Sequence, residues 1–356
     1  MKTEQKNTGQ KRKLVIAVTG LNAIDSPGPG VAVIRAIREC PDFEVRIIGL
    51  SYEALEPGIY MHDLVDKTYQ IPYPPAGIEN LLHRLTYINE IEKIDLVIPN
   101  FDAELYNFIK LSEQLEKMGI HTFLPDLGQF EARHKAMLFK FGKKHNLLIP
   151  EDRLVYQLPD LVNAIEELEF PLVIKGKYYD ATIVNSPEEA QKAFFHFQAK
   201  WGLPIIAQQF VKGTEINIAV LGDGKGNTIS VVPMRKLYIT DKGKAWAGIT
   251  IEDSSFVELA HKFIKATHWK GGCELEIMQT NEGKSYIMEV NPRFPAWIYL
   301  AAAAGQNQPA TLVKMAMGEK VMPFKSYEAG KMFIRYSWDL ITDVGEFQKI
   351  SGMGEL

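Results

Sequence analysis

Cysteine is almost missing from this chain. Cys40 and Cys273 are the only two in 356 residues, too few for a disulfide framework or a cysteine-rich metal site. Long apolar runs are missing too: nothing approaches the roughly 18 uninterrupted apolar residues of a membrane span. Neither charge sign dominates, with 40 Lys and Arg against 44 Asp and Glu, so electrostatics give no reason to expect nucleic acid. His261 and His268 have no partners at metal-ligand spacing. No internal repeat or low-complexity tract is present. These absences favour a cytoplasmic enzyme with neither membrane nor nucleic-acid partner.

What remains is an apolar fraction of 46%, enough for real cores in two or three domains. Residues 1–13 are polar and basic, with no apolar stretch behind them in the manner of a signal peptide, and read as a disordered leader. Short apolar, β-branched runs follow at 14–19, 43–50, 64–71, 94–99 and 121–124, with helical patterns at 31–40, 78–91 and 103–118. That alternation predicts an open parallel sheet with right-handed crossovers. Gly20, Gly28 and Gly30 invite a dinucleotide reading, but the loop is too long for G-x-G-x-x-G. They fit a turn shaped by glycine and proline, or a substrate contact at the carboxyl end of a strand. Asn100, Asp102 and Glu104 sit at another such end, as acceptor contacts or as a helix start capped by Asp102.

Residues 129–145 read as a helix with Lys135 near its start. Residues 170–175, FPLVIK, place the Lys175 ammonium at the inner end of a strand, where it must find an anion or shift its pKa. Phosphate is the natural partner. Backbone N–H groups of Tyr179, Asp180 and Ala181 are available to cap it, with Lys177 adding charge. Ser186 or Asn185 caps a helix with Pro187 at its first position. A strand at 203–211 ends at Lys212-Gly213, and Glu215, Asn217 and Ala219 then alternate with Ile216, Ile218 and Val220. Residues 229–233 deliver Arg235 and Lys236, either able to reach a phosphate. Phe256, Leu259, Ala260, Phe263 and Ile264 form the apolar face of a helix at 255–267.

The most informative stretch is 271–299, GGCELEIMQTNEGKSYIMEVNPRFPAWIY. Two alternating runs flank the polar turn at 281–284. Cys273, Leu275 and Ile277 point one way, Glu274 and Glu276 the other. In the second run Tyr286, Met288 and Val290 share a face, opposite Ile287, Glu289 and Asn291. A turn centred between Glu282 and Gly283 sets Glu276 against Glu289 and Glu274 against Asn291. Like charges so placed destabilise a sheet, so a cation belongs between them. Two carboxylates and an amide oxygen suit Mg2+ shared with a substrate phosphate. Trp297 and Tyr299 are pocket lining or core, and the tail from 332 is one strand without assigned chemistry.

The E-V-N-P-R string with an acidic strand before it resembles the metal-binding end of the ATP-grasp superfamily, most closely the carbamoyl-phosphate-synthetase and biotin-carboxylase branch. The resemblance covers about residues 14–320. It implies an α/β and α+β chain: a disordered leader (1–13), an N-terminal open parallel-sheet, pre-ATP-grasp domain (14–126), a linker helix and small lobe (127–212), and a large lobe with the metal site and C-terminal segment (213–356). The large synthetase has two related halves; here there is one. By the same resemblance Glu276, Glu289 and Asn291 hold one or two Mg2+ ions, with Mn2+ as the alternative. Lys135 and Lys175 reach the ATP phosphates, with Arg235 as a further contact. Gln209, Phe210 and Val211 offer backbone groups to adenine, Gln208 a side-chain contact, and Glu215 binds ribose. Arg293 faces an acyl phosphate. The chain departs from the pattern in the glycine-poor segment 176–182. The implied activity is a carboxylate–amine ligase acting on a small-molecule acid and an amine, amino acid or peptide, with release of ADP and phosphate. An ATP-dependent kinase, a bicarbonate-activating enzyme and a non-catalytic ATP-binding protein are the alternatives. Dimerisation is common in that branch, so a homodimer is the assembly to test.

Overall fold

The computed structural model describes residues 12–23, 27–176, 180–241 and 243–356. Most of the expected leader lies outside them. Arg12 and Lys13 already belong to the first strand, β1 (Arg12–Val18), because each pairs with its neighbour strand.

β2 (Phe43–Ser51), β3 (Lys67–Gln70) and β4 (Leu96–Ile98) complete a parallel sheet in the order β3-β2-β1-β4. The helices are α1 (Pro29–Arg38), α2 (Ile78–Glu92) and α3 (Asp102–Lys117). The run at 121–124 forms no fifth strand; it makes a single bridge, His121 to Leu96. Between β1 and α1 the glycines serve close approach: a Cβ on Gly30 would stand 2.2 Å from the Thr19 carbonyl oxygen. The order of the sheet puts its switch point between β1 and β4, so Gly20, Asn100 and Asp102 gather at one crevice.

The helix expected over 129–145 is two: α4 (Leu127–Ala132) and α5 (Lys135–His145), broken at Arg133-His134. Asp126 caps α4 with Gln129 in a reciprocal capping box. A four-stranded sheet then forms from β5 (Asp152–Val155), β6 (Leu172–Lys175), β7 (Ala181–Val184) and β8 (Ile205–Gln209), in the order β5-β8-β6-β7. Helices α6 (Leu158–Leu168) and α7 (Pro187–Trp201) cover it. This lobe has its own core, including Leu161, Leu172, Ile174, Phe194 and Ile205.

The largest sheet contains β9 (Thr214–Asp223), β10 (Thr228–Ile239), β11 (Ala245–Thr250), β12 (Lys270–Gln279), β13 (Ser285–Asn291) and β14 (Met332–Ile334). Its antiparallel order is β13-β12-β9-β10-β11-β14. One face buries Ile216, Cys273, Leu275 and Ile277 beneath α5 and α8 (Ser254–Thr267). The other shares a continuous core with the parallel sheet: Ile16 and Val18 belong to the same cluster as Ala219, Val232 and Ile298. α9 (Ile298–Ala303) and α10 (Gln308–Ala316) pack on α1 within it. The parallel sheet and the large lobe are thus bonded by apolar burial, whereas the small lobe stands on a separate core. After α11 (Val344–Met353) the chain returns to β3, where Leu356 and Thr68 exchange backbone hydrogen bonds. Among the described residues no helix is long and apolar enough to cross a membrane.

Candidate active site

The expected register is found: Glu276 pairs with Glu289 and Glu274 with Asn291. A bulge then intervenes, so that Ile277 faces Ile287 and Met288 is the extra residue. This corrects the alternation read from the sequence. Ile287 turns into the core with Ile277 and Val290, leaving Glu289 and Asn291 on the acidic face.

That face opens into a cleft of about 930 Å³, lined by all three sheets' connections. Asn291 Nδ2 donates to Glu274 Oε2 and Glu276 Oε1, both at 3.0 Å. Glu274 also accepts from Asn217 Nδ2 at 2.9 Å and from the Trp297 indole at 2.7 Å. Asn217 lies directly opposite Glu276 on β9, is 2% exposed, and has no partner for its Oδ1. Burial first, then the neighbouring Glu274 and Glu289, pushes the Glu276 carboxyl up to about 7. Buried carboxylates under mutual repulsion, beside an orphaned amide oxygen, form a donor set that fits a cation. Among the described residues no three His, Cys, Asp or Glu side chains converge as a metal cage.

Lys135 opens α5 because the helix breaks just before it, and its Nζ lies 3.7 Å from Glu289. Lys175 ends β6. Burial and then the Lys135 charge lower its ammonium to about 8, against the pull of Glu289, Glu276 and Asp152. Lys175 is not among the residues that line the cleft; the charges of Lys135, Glu289 and Glu276 reach it across the gap between the lobes. Arg293 is held by Asp102 of the parallel sheet's α3, Nε to Oδ2 at 2.8 Å, and donates to the Phe294 carbonyl. Burial would depress its guanidinium, but the carboxylates of Asp102 and Glu274 outweigh it and raise the pKa. Asp102 is therefore no helix cap. Glu104 does that work, accepting from the backbone of Phe101 and Asn100 and from Thr19 and Tyr52.

Glu215 lines the cleft and pairs with Lys236. Arg235 does not line it. Strand alternation puts Arg235 in register with Ile216, on the face away from Glu276, while Lys236 turns inward. Of the two basic residues expected at a phosphate, the cleft receives Lys236. At the strand leaving the small lobe, Gln208 is 4% exposed with an unpartnered Oε1, beside Asp152, whose Oδ2 is also unpartnered. Burial pushes Asp152 up to about 6 despite Arg153 and Lys175. The Gln209 N–H is already donated to the Glu151 carbonyl, so Phe210 and Val211 are the neighbours with backbone groups to offer. Lys177 and Tyr179 lie outside the described residues. Asp180 is tied to Lys200 at 2.7 Å and to the Trp201 indole.

Sequence reasoning missed two contributors. The pairing pattern makes Glu274 only the partner of Asn291, whereas it also accepts from Asn217 and Trp297. Arg335, in the tail given no chemistry, enters the cleft because β14 pairs with β11; burial lowers it to about 10 against the pull of Glu274. Tyr299, by contrast, leaves the site: it donates to Glu39, and Arg35 stacks 3.9 Å above its ring.

Residues 203–335 match the family described as "ATP-grasp in the biosynthetic pathway with Ter operon". A D-alanine–D-alanine ligase of Cupriavidus metallidurans is 25% identical over 197 residues, 50% of this chain and 59% of that protein. The carbamoyl phosphate synthase large chain of a Thermoanaerobacter species is 24% identical over 295 residues, 75% of this chain and 25% of that one. Among solved structures, the Campylobacter jejuni biotin carboxylase in complex with β-γ-ATP superposes with a TM-score of 0.71 at 15% identity, covering 89% of this chain and 74% of that one. The ATP-grasp match thus covers residues 203–335, and the chain as a whole is similar to ATP-grasp enzymes in fold. Its similarities run to carbamoyl phosphate synthase in sequence and to biotin carboxylase in fold. It spans little more than half of the matched ligase and a quarter of the synthase.

Proposed function

We propose that this chain is an ATP-dependent carboxylate–amine ligase, and that the cleft between its small and large lobes is the site of phosphoryl transfer. One observation carries the reading. Glu276, Glu289 and Asn291, with Lys135 and Arg293, line a single cleft.

The acid would be activated by attack on the γ-phosphate of ATP, giving an acyl phosphate that an amine opens with loss of phosphate. Glu276, Glu289 and the amide oxygen of Asn291 would hold magnesium, which supplies charge neutralisation on the triphosphate. Lys175 donates to the transferring phosphoryl group, whose negative charge would offset the burial and the Lys135 repulsion that lower its pKa. Lys135, tethered by Glu289, is placed for the neighbouring phosphate. Buried Gln208 offers an acceptor to the adenine amino group, and Glu215 its carboxylate to the ribose. Arg293, fixed by Asp102, directs its remaining guanidinium N–H groups at the acyl oxygen, where charge develops. Positioning and electrostatics thus carry the chemistry, without a nucleophilic side chain.

The test is ADP release screened across pairs of carboxylic acids and amines. Turnover that needs both supports a ligase. Turnover with one acceptor and a phosphorylated product would mean a kinase, and tight ATP binding without turnover a nucleotide-binding protein.

A further inference from the structure

A second cavity lies outside the cleft, between α4, α5 and α8, with a volume of about 630 Å³. Its wall is an aromatic row: the rings of Phe141 and Phe263 stand 6.4 Å apart, and those of Phe263 and Trp269 5.9 Å. Trp269, 1% exposed, backs this row. The mouth is basic. Lys140 and Lys144, four residues apart on one face of α5, border it together with Arg133. Among the described lining residues the one carboxylate, Asp126, accepts from the Gln129 N–H at 2.8 Å as the cap of α4.

We infer that this cavity is a regulatory site for a small amphipathic anion, its apolar body against Phe141, Phe263 and Met137 and its carboxylate or phosphate at Lys140 and Lys144. The volume falls within the range of small-molecule sites, and an apolar chamber under a cationic rim selects that class. Occupancy has a route to the cleft. α5 begins at Lys135, which pairs with Glu289, and Val290 beside Glu289 lines the cavity. Arg133 borders both the cavity and the cleft. A ligand that braces α5 therefore fixes the lysine placed for the nucleotide phosphates; this coupling, unlike the site itself, rests on the function proposed above.

The probe is decanoate, titrated calorimetrically into the full chain. Saturable binding of one decanoate per chain is expected, weakened at least tenfold in Lys140→Glu/Lys144→Glu, whose exposed positions leave folding intact. Ala266→Trp, which fills the cavity from α8, should abolish binding. No saturable binding, or binding unchanged in both variants, overturns the site. With decanoate bound, the dissociation constant of MgATP should shift at least threefold, and an unshifted value overturns the regulatory role. Failure of ATP to bind at all would count against the ligase reading and leave the decanoate result standing.

Discussion

Replacing Glu276 by Gln should strengthen the free protein while disabling it. Glu276 is raised from an ordinary 4.5 to about 7 by burial and by Glu274 and Glu289, a displacement corresponding to at most about 3 kcal/mol. The sign runs against the usual salt-bridged carboxylate. Below about 4.5 both folded and unfolded chains hold the proton and the site costs nothing. Between there and about 7 the unfolded chain sheds it while the folded chain keeps it, so stability falls as pH rises, and above 7 the loss is complete. Gln keeps an oxygen for the Asn291 amide, now 3.0 Å from Glu276, and removes the charge. Thermal unfolding in EDTA should therefore show E276Q level with the parent at about pH 4.5 and increasingly more stable toward about pH 8. Magnesium and ATP should reverse the order by stabilising only the parent. A difference that is flat with pH, or that shrinks as pH rises, would refute the claim that this carboxylate is held under burial and like-charge strain.

Other consequences are open to kinetics once a substrate pair is known. The profile of kcat/KM for ATP should be bell-shaped, rising as Glu276 loses its proton near 7 and falling as Lys175 loses its own near 8; Lys175→Arg should remove the alkaline limb, and a limb unmoved in that variant would detach it from Lys175. Lys175→Met should lower kcat by about 100- to 1,000-fold, the scale of losing one transition-state donor, as measured by ADP release. Asp102→Asn should lower kcat about tenfold with little change in KM for ATP, because it frees Arg293 without removing it; an effect confined to KM would place Arg293 in ground-state binding. Arg235→Ala, on the face away from the acids, should leave ATP binding unchanged in a calorimetric titration, whereas Lys236→Ala should weaken it.

The acidic hairpin was legible because strand alternation and turn length suffice to set Glu276 against Glu289. The bulge at Met288 was not, since a single extra residue leaves no compositional mark and yet reverses the side of Ile287. The same limit divided Arg235 from Lys236: adjacent cations on a strand face opposite ways, and only the pairing of β10 with β9 says which way is inward. The parallel sheet followed from its β-branched runs. Strands β5 and β11 went unread, because four residues bearing Asp152 and Arg153, and six that include Ala245, Ala247 and Gly248, carry little β signal. Contacts across great separation were beyond reach altogether. Asp102 and Arg293 meet 191 residues apart, and Arg335 arrives through a three-residue edge strand. Each is fixed by how sheets pack, which no local pattern encodes.

The most direct measurement is a calorimetric titration of a non-hydrolysable ATP analogue, with and without magnesium, into the parent chain, a Glu276→Gln/Glu289→Gln double variant and Lys175→Met. Saturable binding that needs magnesium, lost in the double variant and weakened in Lys175→Met, is the expected result. Equal binding in EDTA, or full affinity after removal of both carboxylates, would contradict a magnesium-bound triphosphate held between these two lobes.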